Sequence, residues 1–212
     1  MRVSRGETAL QIGTPNPGTM ERLSNAVGPR GLVVIIEPAP ENIRRLEEAR
    51  DRLNWPNVDL VRCAAWSESD EMKFSLAAHP GDHKIAIDGI EHDNDYRPEN
   101  TYEETTTVEA KPLDQIVEKH GLDQVNYVEI MVNGAEMEVL RGATHMLRGF
   151  RPIRLLVKGH ARTEQGQPLN QEISKFLDRH GLATVVTQGG DPAVGSNPEW
   201  RVRDGDVFAY AN

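Results

Sequence analysis

Short apolar runs alternate with stretches of helical spacing along most of the chain. Residues 8–13, TALQIG, predict a first strand, and residues 19–27, TMERLSNAV, a first helix. GLVVIIEP, residues 31–38, is apolar almost throughout, as expected of a strand covered on both faces. PENIRRLEEARDRL predicts a helix: Pro40 and Glu41 suit its first turn, and Ile43, Leu46, Ala49 and Leu53 follow helical spacing. NVDLVRCAAW, residues 57–66, predicts a third strand.

Residues 67–107 break the rhythm. They are polar, acidic and turn-rich, with MKFSLA and HKIAID as short strand candidates, and predict an excursion from the sheet, part hairpin and part mobile loop. TTTVEAKPLDQIVEKHG then predicts a short strand and a helix opened by Pro112 to Asp114. YVEIMV predicts a strand, Asn133-Gly134 a break, and AEMEVLRGATHML one helix. IRLLVKGH predicts a strand and NQEISKFLDRHG a helix ending at Gly181, with LATVVTQ and DVFAYAN as two closing strands. This order, βαβαβ, an excursion, then αβαβαββ, predicts an α/β fold: a doubly wound, mostly parallel sheet with a C-terminal antiparallel hairpin. Neither linker nor repeat divides the 212 residues, so a single domain over residues 1–212 is expected.

Composition narrows the classes. The formal net charge of -9 argues against a nucleic-acid-binding face. One cysteine, Cys63, excludes a disulfide scaffold and a thiolate metal cluster. HDND, residues 92–95, with His79, His83, Asp82 and Asp88 nearby, matches no metal-loop spacing, and no metal is expected. Neither a membrane-length apolar run nor a signal-peptide core is visible, so a soluble cytoplasmic protein is expected.

The candidate chemistry sits at strand ends. LQIGTPNPGT joins the first strand to the first helix, and Gly13 and Gly18 permit close backbone approach there. The spacing is neither G-x-G-x-x-G nor a P-loop. Glu37-Pro38 ends the second strand about 20 residues further on, where an acid accepts hydrogen bonds from ribose hydroxyls. Ala64-Ala65 is small enough for an adenine ring to lie flat against it. These spacings leave NAD open as well as other adenosine cofactors.

Taken in order, GPRGLVVIIEPAPENIRRLEE, VDLVRCAAWSESDEMKF, KPLDQIVEKHG, YVEIMVNGAEMEVLRGATHML and LLVKGH resemble the FkbM-type S-adenosylmethionine-dependent methyltransferases. The specific parts are Glu37-Pro38 with Pro40 and Asn42, Leu113-Asp114, and Gly134-Ala135-Glu136 followed by Leu140 and Gly142. The resemblance implies a Rossmann-like seven-stranded sheet and O-methylation of a small molecule or glycan. It implies that Gly13, Thr14, Asn16 and Gly18 hold the methionine part of S-adenosylmethionine, that Glu37 and Pro38 bind the ribose, and that Ala64 and Ala65 line the adenine. Asn133, Glu136 and His160 are the candidates for acceptor chemistry.

The chain departs from the family pattern at five places. Gln11 stands where the first motif carries an acid, Met131 and Asn133 where the later motif carries acids, and Lys158 where an acid is common. Glu129 replaces a base in that later motif. The departures keep open a family member that binds cofactor or a partner without turnover. With the first strand so near the start, the N-terminal lid of many methyltransferases is expected to be short or missing. The excursion or a partner subunit, as in a homo-oligomer, would then cover the acceptor.

Overall fold

The computed structural model describes residues 3–14, 16–77, 83–85, 90–91, 102–158, 162–163, 166–188 and 205–212. In chain order the elements are β1 (Thr8–Ile12), α1 (Pro17–Val27), β2 (Leu32–Ile36), α2 (Pro40–Leu53), β3 (Val58–Val61), β4 (Ala64–Ala65) and β5 (Asp70–Ala77). Then come β6 (Lys84–Ile85), β7 (Ile90–Glu91), β8 (Tyr102–Lys111), α3 (Leu113–Lys119), β9 (Tyr127–Ile130), α4 (Glu136–Arg141) and α5 (Thr144–Gly149). The last are β10 (Ile153–Val157), β11 (Arg162–Thr163), α6 (Asn170–Arg179), β12 (Ala183–Val186) and β13 (Val207–Ala211).

Seven strands form the main sheet in the order β12-β13-β10-β9-β1-β2-β3. The β1, β2, β3, β9 and β10 pairings are parallel, and β13 runs antiparallel to both β10 and β12. The chain winds outward from β1 to β3, then returns to place β9 on the other side of β1. The β1/β9 boundary is therefore the topological switch point, where ligands bind in open α/β sheets.

Both faces are covered, as the apolar strands require. Leu10, Ile12, Val34, Val128 and Ile130 pack on one side with Leu113, Ile116, Leu140, Leu147, Ile173 and Leu177 from the later helices. Ala9, Val33, Ile35 and Tyr127 pack on the other with Met20, Leu23 and Val27 of α1 and Leu46 and Ala49 of α2. These alternate along each strand, as side chains on a pleated sheet must.

Local chemistry sets the boundaries. Helix α1 begins at Pro17, two residues before the sequence expectation, because Asn16 Oδ1 accepts the Gly18 N–H at 2.8 Å and Pro17 needs no donor. Helix α2 ends at Asn54, in the left-handed region at φ 52.

Two expectations are corrected, the single strand over 57–66 and the single helix over 135–147, and the hairpin part of the 67–107 excursion is filled in. Residues 57–66 are not one strand: β3 ends at Val61, and Ala64-Ala65 cross to a second sheet, where they pair in parallel with Ala110-Lys111. The 67–107 excursion is built around that second sheet, ordered β4-β8-β5-β6, whose long β5–β8 antiparallel pair packs Phe74, Val108 and Ala110 against Ala39 and Ala64. HKIAID is a strand at Lys84–Ile85; its residues 86–88 lie outside the described residues, as do His79, Asp82 and residues 92–95. The single helix expected over 135–147 is two, α4 and α5, parted at Gly142-Ala143. A Cβ on Gly142 would lie 1.9 Å from the Trp66 carbonyl oxygen, so the backbone of the second sheet presses into the break. Asp114 then caps α5, accepting the His145 and Met146 N–H groups at 2.9 Å each.

Candidate functional site

The C-terminal ends of β1, β2 and β9 open onto a cleft of about 110 Å³. The structure brings Gly13, Thr14, Glu37, Pro38, Ala64, Ala65 and Asn133 together around it, although they come from four separate stretches of chain. Asn16 and Gly18 do not line it; they form the start of α1. Glu136 lies behind it, 2% exposed, in the first turn of α4, with Oε1 accepting the Val132 N–H at 3.4 Å. His160 is outside the described residues.

Gly13 is fixed from both sides. Its N–H donates to Ile36 O at 2.9 Å, and the Met131 N–H donates to the preceding Ile12 carbonyl at 2.9 Å. Its φ of +71 is one that a side chain disfavours, and an added Cβ would lie 2.2 Å from Met131 O. Only a glycine lets the first loop lie this close to the tip of β9.

Glu37 is 4% exposed and organises the corner of the cleft at the end of β2. Its Oε2 accepts the Thr14 N–H at 3.0 Å, and its Oε1 accepts the Ala39 N–H at 3.0 Å and Asn42 Nδ2 at 3.2 Å. One carboxylate thus ties the β1 loop to the start of α2. Burial pushes its pKa above the ordinary value, against the pull of the Ala39, Thr14 and Asn42 donors. A carboxylate has about four acceptor positions, so three donors leave room for one more hydroxyl, and a second requires Asn42 to yield.

The raised pKa has a stability consequence. The folded state holds the Glu37 proton more tightly than the unfolded chain, so this residue's contribution is full below the unfolded value near 4.5 and is lost as pH rises through the folded value. Urea titrations from acid to neutral pH are expected to show wild-type stability falling relative to Glu37→Gln across that window. A constant difference between the two would show that Glu37 does not titrate abnormally.

Met131, Val132 and Ala135 continue the wall at the β9 tip. Asn133 does not cap a helix: it sits at φ 50, Ala135 occupies the α4 cap position, and Asn133 Nδ2 donates across the cleft wall to the His83 carbonyl at 3.0 Å. His83 in turn accepts the Ala77 N–H on Nδ1 at 2.9 Å and places Nε2 3.4 Å from Glu41 of α2. An imidazole accepting on Nδ1 carries its proton on Nε2. Phe74, His83 and Ile85 from the second sheet complete the lining. The sequence signal for these three was the alternation in MKFSLA and HKIAID, which marks a strand but not the face it presents.

The charged departures have partners. Glu129 is held by Arg22 of α1 at 2.8 Å and by the Tyr127 hydroxyl at 3.1 Å, all beneath the first loop. Lys158 donates to the fully buried Asp206 at 2.7 Å. Cys63 is buried and its thiol is raised to about 11, chiefly by desolvation, which leaves it inert near neutral pH. Among the described residues no cluster of metal-ligating side chains occurs, and no helix is long and apolar enough to cross a membrane.

The doubly wound sheet with its reversed last strand, and a cleft at the switch point with an acid at the end of β2, define the class I methyltransferase fold. The same fold is found in a FkbM methyltransferase from Methylobacillus flagellatus (TM-score 0.64, 13% identity, covering 100% of this chain and 45% of that one). It is found also in Aeropyrum pernix fibrillarin, solved with S-adenosylmethionine (TM-score 0.56, 15% identity, covering 100% and 69%). The FkbM methyltransferase domain model matches residues 11–182, and the chain belongs to that family of S-adenosylmethionine-dependent methyltransferases. A curated relative, the hexuronic acid methyltransferase AglP of Haloferax volcanii, is 27% identical over 158 residues, 74% of this chain and 56% of that protein. The chain thus spans about half the length of these two methyltransferases, AglP and the Methylobacillus protein.

Proposed function

We propose that the protein transfers a methyl group from S-adenosylmethionine to an oxygen of a small molecule or glycan. The observation that carries the reading is the convergence of Gly13, Glu37 and Ala64-Ala65 on one cleft beside Asn133. The cleft chemistry fits the cofactor. Glu37 is a buried carboxylate with acceptor capacity for a ribose hydroxyl, and Ala64, Ala65, Phe74 and Ile85 supply the apolar wall an adenine needs. Gly13 and Thr14 would hold the methionine end, while Asn16 and Gly18 contribute by starting α1. Pro38 supports the ribose corner.

The bound cofactor supplies an electrophilic methyl on a cationic sulfur. The chain's task is to hold the acceptor oxygen about 3 Å from that carbon and to help remove its proton where it has one. Asn133, at the β9 tip, is the proposed orienting group, and His160, just past β10, the proposed base. Glu136 would act through the turn it braces. The name of the Haloferax relative supports a sugar acid among the acceptors. A second reading, cofactor binding without turnover, is favoured by the Asn133 amide being engaged with the His83 carbonyl.

Calorimetry with S-adenosylmethionine, S-adenosylhomocysteine and NAD, followed by transfer of labelled methyl to uronic-acid and neutral saccharides, tests both readings. Failure to bind either sulfur cofactor would sink the first; binding with no transfer across the panel would favour the second. Glu37→Ala is expected to weaken cofactor binding by about 1.5–3 kcal/mol, the cost of losing a charge-assisted hydrogen bond. Unchanged affinity would remove Glu37 from the site.

A further inference from the structure

Three ladder bonds set the strand tips side by side. The Gly13 N–H donates to Ile36 O of β2 at 2.9 Å, the Met131 N–H to Ile12 O of β1 at 2.9 Å, and the Lys158 N–H to Ile130 O of β9 at 3.0 Å. Neighbouring strands lie about 4.8 Å apart, so Lys158 stands one such step beyond Met131 and two beyond Gly13. Leu156, two residues earlier, packs on the α1 side of the sheet, and Lys158 continues that row.

The ion pair at this tip presents one sign. The Asp206 side chain has no exposed surface and that of Lys158 is 17% exposed, so a ligand arriving from solvent meets the ammonium and not the carboxylate. Asp206 is itself held from behind: its carbonyl accepts the Thr187 N–H at 2.9 Å and the Thr187 hydroxyl at 3.1 Å. The ammonium is thus aimed by a fixed anchor. With three N–H donors it can hold Asp206, a further neighbour and a ligand oxygen together. Between Lys158 and the cleft, Met131, Val132 and Asn133 are uncharged, and Glu129 answers Arg22 at 2.8 Å. A buried ion pair adds little net stability over an apolar one, so folding alone does not call for this charge.

We infer that Lys158 is a specificity-determining residue, which binds a carboxylate on the methyl acceptor. The inference rests on the cofactor reading above. Under that reading the cofactor runs along the strand tips from Ala64-Ala65 past Glu37 to Gly13, and so advances toward β9. An acceptor that meets the methyl from the far side arrives over β9 and β10, within reach of Lys158. Acids at positions 131, 133 and 158 would repel an anionic acceptor there, and the departures at these three positions all remove that repulsion. A lone ammonium answers a single negative charge, which a carboxylate carries and a phosphate monoester exceeds.

The test is calorimetry on protein saturated with S-adenosylhomocysteine, with a glucuronate disaccharide and its carboxamide as probes. The wild type is expected to bind the acid about tenfold or more tightly than the amide, the worth of one charge-assisted hydrogen bond. Lys158→Met alone would strand Asp206, so the variant to compare is Lys158→Met with Asp206→Asn, in which the two probes are expected to bind within about twofold of each other. Lys158→Gln, a neutral donor to Asp206, serves if the double variant misfolds, and the same levelling is expected. Lys158→Arg keeps the charge and is expected to keep the preference. Equal binding of acid and amide by the wild type, or a preference that survives loss of the charge, would overturn the inference. Transfer of labelled methyl is scored separately. Acid preference without transfer upholds the inference and removes turnover, whereas failure of the wild type to bind S-adenosylhomocysteine removes the cofactor reading and the inference with it.

Discussion

Gly13→Ala is expected to abolish measurable S-adenosylmethionine binding and to lower unfolding stability by about 2–4 kcal/mol. The new Cβ would lie 2.2 Å from Met131 O and 3.1 Å from Val132 Cγ1, at a backbone φ of +71. The nearest atom is backbone, so no side-chain rotation relieves the conflict. Either the first loop lifts away from the β9 tip, which widens the cleft, or β9 moves and breaks its pairing with β1. Gly6 provides the control. Its φ is +82 but nothing lies within 4 Å of an added Cβ, so Gly6→Ala carries the conformational cost without the collision, about 1 kcal/mol. The difference between the two variants in urea melts measures the close approach itself. An alanine at position 13 that bound the cofactor within about threefold of wild type would show that the loop is not pinned as described.

The second large effect concerns Arg22. Its guanidinium and the Glu129 carboxylate are 13% and 6% exposed, with the Tyr127 hydroxyl on the same oxygen. Burial first, then the neighbouring Glu129 charge, keeps the Tyr127 phenol neutral far above its ordinary range. Arg22→Ala removes the counter-charge and strands a carboxylate beneath α1, at an expected cost of about 3–5 kcal/mol in denaturant unfolding. Replacing the whole cluster, Arg22→Met with Glu129→Leu and Tyr127→Phe, is expected to recover most of that loss, because the penalty belongs to the unpaired charge. A loss below about 1 kcal/mol for Arg22→Ala would mean that water reaches the pair.

The succession of strands and helices that builds the main sheet was legible because most strands carry their own local signal: apolar, short, and followed by a helix of clear period. Gly13 and Glu37 were legible for the same reason, since both end a strand and their separation follows from one βαβ unit. Ala64-Ala65 marked the cleft, but not the sheet they belong to, because two alanines carry no preference between partners. Their pairing with Ala110-Lys111 spans a stretch of chain that no local pattern crosses. Gly142 read as part of one helix because its surroundings keep helical spacing; the reason for the break, the Trp66 carbonyl, comes from 76 positions earlier in the chain. Glu129 read as a reversed charge in a strand. That it answers Arg22 needs the rotation of α1 about its own axis, which depends on how Met20, Leu23 and Val27 seat on the sheet.

The crossing from β3 to β4 gives the cleft two foundations. Glu37 stands on the main sheet and Ala64-Ala65 on the second, and the two sheets meet through Ala39, which packs with the second sheet while its N–H holds Glu37. An adenosine spanning the cleft would therefore work as a strut between two sheets whose cores already join at Ala65. Its binding energy would be shared with the docking of the sheets, and a substitution far out on β5 or β8 could change cofactor affinity by altering the span, with every contacting residue left as it was.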